Sequence, residues 1–346
     1  MAKPSVAVTS IRSWSELLDE LYRDSWDPGL KRHRSPYVYR GMPNAANDLR
    51  SSLIRLAGRK EISQLEGHVL RNFRKYAGSD SASGDSVWNW LALAAHHSLP
   101  TRLLDWTYSP FVALHFATAD LSQYHHDAVI WCVNHGETNR RLPKELRKQL
   151  DQEGSNVFTV DMLNAVARTL GQLEKLAKEP FVVFLEPPSL DERIVNQFAL
   201  FSIMSTATEP LDTWLTSHSD VSRRIIIPAS LKWEVRDKID QAGITERILF
   251  PGLDGLAAWL TRYYATPNRP VEKRSEGLTH NRVATISENY SEPGAHDNIT
   301  EEVHSQNDSR NRHAEGAEEK PRHESRVIKS ETDGKREGGN GMARGK

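Results

Sequence analysis

A single cysteine, Cys132, excludes an internal disulfide and leaves no cysteine cluster for a structural zinc. It lies in the apolar run Ala128 to Val133, where a buried, inert thiol is expected. No apolar stretch approaches the roughly 18 residues of a membrane span, and the N-terminal segment lacks the apolar core of a signal peptide. The expected compartment is therefore the cytoplasm, with no membrane contact. Neither sign of charge dominates: 45 basic side chains face 46 acidic ones, for a net charge of −1. A nucleic-acid partner remains possible but charge does not indicate it. Lys31, Arg32 and Arg34 form a local basic cluster that reads as a solvated face.

Beyond Tyr264 the chain is nearly devoid of aromatic residues. All nine Trp and all nine Phe precede residue 265, and only Tyr290 of the nine Tyr lies beyond Tyr264. A segment so poor in aromatic and aliphatic residues cannot bury enough apolar surface to offset chain entropy. The sequence thus predicts one folded domain over residues 1–265 and a disordered polar tail over 266–346.

Familiar catalytic motifs are also missing. There is no P-loop, no G-x-G-x-x-G after a strand, no H-E-x-x-H and no G-x-S-x-G. The pairs His96-His97 and His125-His126 are adjacent, so their side chains point apart, and no metal site is expected.

What is present is a mixture of both periodicities. Ser13 and Glu16 form a capping box ahead of the stripe Trp14, Leu17, Leu18 and Leu21. Further helices are expected over 61–76, from Ser86 to about His97, and after Ser109-Pro110, where Ser caps and Pro takes the first helical position. Residues 143–178 read as mostly helical, as do 228–241 and 253–264. Strands are expected at 37–40, 101–106, 128–133, 181–185, 201–204 and 223–227. Asp24 to Ser35 reads as a loop. Strands interspersed irregularly with helices predict an α+β fold, a mixed sheet with helices packed around it.

Two segments carry candidate chemistry. In Tyr39-Arg40-Gly41 an Arg at a strand end precedes a Gly that permits close backbone approach, an arrangement suited to a phosphate or carboxylate. The segment His96 to Pro110 gathers His96, Thr101, Arg102, Asp105, Thr107 and Ser109 within one helix-turn-strand-turn-helix, and Ser109 opens a helix whose first N–H groups favour an anion. A structural role is open for each: Arg102 pairing with Asp105, Ser109 as a cap, and Trp106 in the core or stacked on a base.

These residues resemble a known family. Tyr39-Arg40-Gly41, the run from His96 through Leu99-Pro100-Thr101-Arg102-Leu103-Leu104-Asp105-Trp106-Thr107 to Ala117, and Arg193-Ile194 with Gln197 and Phe201 are similar to the FRG domain. The resemblance spans roughly Ile11 to Tyr264. Two departures from the family pattern occur: Ala95-His96-His97-Ser98 keeps only the His of Gln-His-Tyr-Gly, and Ala199 replaces a Gly. The family has no settled biochemical role. A weaker resemblance links the order of Arg40, Thr107/Ser109 and Gln197 to mono-ADP-ribosyltransferases. It implies that NAD is the substrate and that the nicotinamide–ribose bond is cleaved, as in a toxin or defence effector. Arg40 and Gln197 would then be catalytic, with Glu186 and Glu192 as alternative carboxylates. Tyr39, Gly41, His96, Thr101, Arg102, Asp105, Thr107, Ser109 and Arg193 would bind ligand, and Arg40, His96, Arg102, Asp105 and Gln197 would line one pocket. The competing expectation is a non-catalytic module that binds a nucleotide or nucleic-acid end. The acceptor and the oligomeric state are left open.

Overall fold

Alternating apolar residues in the strands and apolar stripes on the helices are expected to place helices on both faces of a sheet. The computed structural model describes residues 5–58, 61–78, 81–189 and 191–266. Apart from Thr266, the expected tail lies outside them. The strands are β1 (Ala7–Ser10), β2 (Trp26–Asp27), β3 (Arg32–His33), β4 (Tyr37–Met42), β5 (Leu103–Thr107), β6 (Ala128–Asn134), β7 (Phe158–Thr159), β8 (Val182–Glu186), β9 (Ala199–Met204) and β10 (Ser222–Ile227). The first seven helices are α1 (Trp14–Tyr22), α2 (Ser52–Ala57), α3 (Ile62–Ala77), α4 (Val87–His96), α5 (Pro110–Thr118), α6 (His135–Asn139) and α7 (Lys144–Glu153). The remainder are α8 (Val160–Val166), α9 (Leu170–Glu174), α10 (Glu192–Asn196), α11 (Leu211–Ser217), α12 (Lys232–Gln241), α13 (Glu246–Leu249) and α14 (Leu253–Tyr263).

Eight strands form one mixed sheet in the order β1-β10-β6-β4-β5-β9-β8-β7. The outer pairs β1/β10 and β7/β8 are parallel and the inner pairs antiparallel. The described residues therefore form one α+β unit. Strand alternation sorts the core. Val38, Trp106, Trp131 and Phe184 lie with Trp214 and Leu215 of α11 on one face. Tyr39, Ile130, Cys132 and Ile225 lie on the other, against α1, α5 and α12. Farther along that second face, Leu103, Val183 and Phe201 pack on α4 and α8.

Several local expectations change in detail. Ser13 caps α1 by accepting from Glu16 N–H, but Glu16 reaches the N–H of Arg12, one residue earlier than a capping box requires. The segment expected to be a loop at 24–35 contains the β2/β3 hairpin. The expected long helix over 143–178 is three helices and a short strand. Gly154, in the left-handed region, stops α7, and Phe158–Thr159 then joins the sheet edge. Register between β4 and β5 holds one pair, Tyr39 opposite Thr107. Arg40 bridges the strands where they part.

Candidate functional site

Arg40 follows the alternation of Val38 and Met42, so it lies on the sheet face that carries Trp106 and Trp131. Its Nη1 donates to the Asp105 carbonyl at 2.5 Å and stands 3.7 Å from the Asp105 carboxylate. The Asp105 side chain is 77 % exposed, so water weakens that pairing. Burial pushes the Arg40 pKa below its ordinary value; Asp105 opposes the shift and the cation Arg55 adds to it.

Register places Arg40 opposite Trp131, and Trp131 opposite Arg224 on the far side. The Arg224 guanidinium lies 4.8 Å from the Trp131 ring centre. Burial depresses the Arg224 pKa too, against the counter-charge of Asp212. Arg224 donates to the Ala45 carbonyl at 2.8 Å, which holds segment 43–50 over this face. Ser222 shares the alternation of Arg224.

Four polar atoms here have no hydrogen-bond partner although buried: Arg40 Nε, Trp131 Nε1, Arg224 Nε and Ser222 Oγ. Trp131 is only 4 % exposed. The first three are obligate donors, and Ser222 can donate as well. Buried donors without acceptors are costly, and such a gap calls for water, an ion or a ligand. Sequence reasoning did not select Arg55, Trp131, Ser222 or Arg224. A signal existed in Ser222-Arg223-Arg224-Ile225, because charges inside a buried strand are rare unless paired.

A shallow, solvent-open cleft lies on the same face, between α2 and strands β5 and β9. Ile54, Leu104 and Ser202 are among its walls, and Arg102 reaches it.

The remaining candidates are tied elsewhere. Tyr39 is 1 % exposed on the opposite face; its hydroxyl bonds Ser35 at 2.7 Å and the Leu21 carbonyl at 3.2 Å. Burial pushes its pKa up to about 12. Gly41 does permit a close approach, but the approaching group is α5: a Cβ at residue 41 would collide with the carbonyl of Ala113. Arg102 is buried and paired with Glu66, to which Nε donates at 2.9 Å on both oxygens; Nη1 donates to the Ser205 carbonyl at 3.0 Å. It does not pair with Asp105. Thr101 accepts from Leu103 N–H and bonds Ser52 through its backbone.

At the far end of β5, Thr107 donates to the Gln197 carbonyl at 2.7 Å and accepts from Ser109 N–H at 2.9 Å. Ser109 caps α5 through Val112 N–H. The Gln197 amide donates to the Leu249 carbonyl at 2.9 Å. His96 bonds Asp191, the cap of α10, at 2.7 Å, and Arg193 stacks 5.0 Å from the Phe250 ring centre. Of Arg40, His96, Arg102, Asp105 and Gln197, expected in one pocket, Arg40 and Asp105 meet, whereas His96, Arg102 and Gln197 are bonded to Asp191, Glu66 and Leu249. Thr107, Ser109 and Gln197 do meet, as a backbone clamp. Glu186 ends β8 and accepts from Tyr108 at 2.8 Å, whereas Glu192 lies in the first turn of α10.

Among the described residues, no group of three or more His, Cys, Asp or Glu is placed to hold a metal. No helix among them is long and apolar enough to cross a membrane. Comparison with characterised proteins and with solved structures gives no match. Residues 35–126, which include Arg40, Gly41 and the whole of β5, match the sequence model of the FRG domain.

Proposed function

We propose that this protein binds a phosphate-bearing ligand on the β10-β6-β4 face, with NAD as the first candidate. The observation that carries the proposal is the row of partnerless donors at Arg40, Trp131, Arg224 and Ser222. Phosphate oxygens accept several such bonds at once, and a guanidinium matches them in pairs. Burial disfavours the charge on both Arg40 and Arg224, with Arg55 adding to the effect at Arg40, and a bound anion would offset that cost.

Cleavage of the nicotinamide–ribose bond is the second reading. Glu186 favours it, as a carboxylate held by the Tyr108 hydroxyl in the turn between Thr107 and Ser109. In that reading Glu186 would stabilise the cationic sugar as nicotinamide leaves. The Gln197 amide, bonded to Leu249, would hold the turn in place.

The test is calorimetric titration of the full chain with NAD and, separately, inorganic pyrophosphate, for wild type, Arg40→Gln and Arg224→Gln, with nicotinamide release followed in parallel. The proposal expects both variants to lose at least about tenfold in affinity. Wild-type binding without release supports the module, and release lost in Glu186→Gln supports cleavage. Absence of wild-type binding to either ligand, or binding indifferent to both arginines, rejects the proposed site.

A further inference from the structure

The helix α14 is mounted with its polar side inward. Its buried residues are Gly255 and Arg262. Gly255 lets the helix rest on the carbonyls of Phe250 and Glu246, where a Cβ would collide. Arg262 then anchors it, donating to Glu246 at 2.6 and 2.7 Å and to Asp240 at 2.7 and 2.9 Å. The large apolar side chains face outward: Leu253 is 82 % exposed, Leu256 38 %, Leu260 39 %, Tyr263 59 % and Tyr264 76 %.

The spacing from Leu253 to Leu256, Leu260 and Tyr263 is three, four and three residues. That is the a/d pattern of a helix seam, which in an isolated globular domain is turned toward the core. Here it is turned away from it, because an ion-paired Arg occupies the inward side.

We propose that α14 is the surface through which two copies of this chain pair. Three observations favour a second copy. The five outward residues together expose on the order of 600 Å² per copy, backbone and tyrosine hydroxyls included, somewhat below the ~800 Å² each partner contributes to a stable interface. The seam carries no charge, and Ala257 and Thr261 beside it are neutral, so two identical faces meet without like-charge repulsion, as an isologous contact requires. A lipid surface is disfavoured because an interfacial helix presents Lys and Arg along its polar side, whereas the one basic residue of α14 is Arg262, held inward.

Light scattering on the full chain from about 1 to about 100 µM tests the proposal, with Leu256→Asp/Leu260→Asp beside wild type. A concentration-dependent dimer is expected, weakened at least about tenfold in the double variant. Leu253→Asp, at the most exposed position, provides a second variant with little risk to folding and should weaken the dimer in the same direction. A wild-type monomer throughout the range overturns the proposal, as does a dimer unaffected by all three changes. Monomeric protein that binds phosphatidylserine vesicles through the same residues also overturns it, in favour of lipid.

Discussion

Two regions of this protein treat arginine in opposite ways. Around α12 to α14, Arg236 and Arg262 share Asp240, and Arg262 also holds Glu246. Although burial lowers the Arg262 pKa, its carboxylate partners outweigh that and raise it. For Glu246 burial likewise opposes ionisation, yet the Arg262 hydrogen bond and nearby cations bring it to about 2. Between β4 and β10, Arg40 and Arg224 are depressed instead, and each leaves Nε without an acceptor. Arg236 is intermediate: paired with Asp240, yet lowered by burial and by Arg262. A buried guanidinium with carboxylates on every side holds helices together. One left with spare donors is available to a ligand.

The largest effect expected from breaking this contrast is Arg262→Ala. It leaves Glu246, 1 % exposed, without its main partner and should cost about 3–5 kcal/mol, read by urea unfolding. The same pair sets a pH dependence. Glu246 is depressed in the folded state, so its contribution is complete above the ordinary carboxylate pKa and is lost as pH falls toward about 2. Glu246→Gln should therefore flatten the acid limb of stability between those limits. A wild-type limb that persists unchanged in the variant would remove the network from the account.

A smaller change in stability is expected at Arg40. Arg40→Gln removes a charge whose main counter-ion is exposed, so unfolding should shift by no more than about 1 kcal/mol while ligand affinity falls. A loss of several kcal/mol would make Arg40 structural, like Arg262. The smallest effect on ligand binding is expected at Gln197. Gln197→Ala removes one hydrogen bond to Leu249 and should cost about 1 kcal/mol without changing ligand affinity. Abolished nicotinamide release at unchanged stability would instead restore Gln197 to a catalytic role.

Comparing these residues with the sequence shows where local patterning is sufficient. Ser86 and Ser109 cap α4 and α5 where expected, because capping depends on neighbours three residues away. Residues 143–178 were harder: Gly154 and the short strand β7 break a pattern that otherwise reads as helix, and β7 forms only because β8 lies beside it. Gly41 was legible as a point of close approach, but not what approached. Arg102 was legible as a charge in a strand, yet Glu66, its partner, lies 36 residues earlier on another element.

The sequence by itself determined most of the strand and helix types and the Tyr39-Arg40-Gly41 and His96-to-Pro110 motifs, since these depend on short-range spacing. Tertiary structure decided which arginines are paired. Partner choice requires strands and helices distant in sequence to meet, as Arg40 on β4 meets Trp131 on β6 and Arg224 on β10 lies across from them. It also decided that α14 turns its leucines outward, because Gly255 and Arg262 find their contacts on α12 and α13 and leave the seam no place inside.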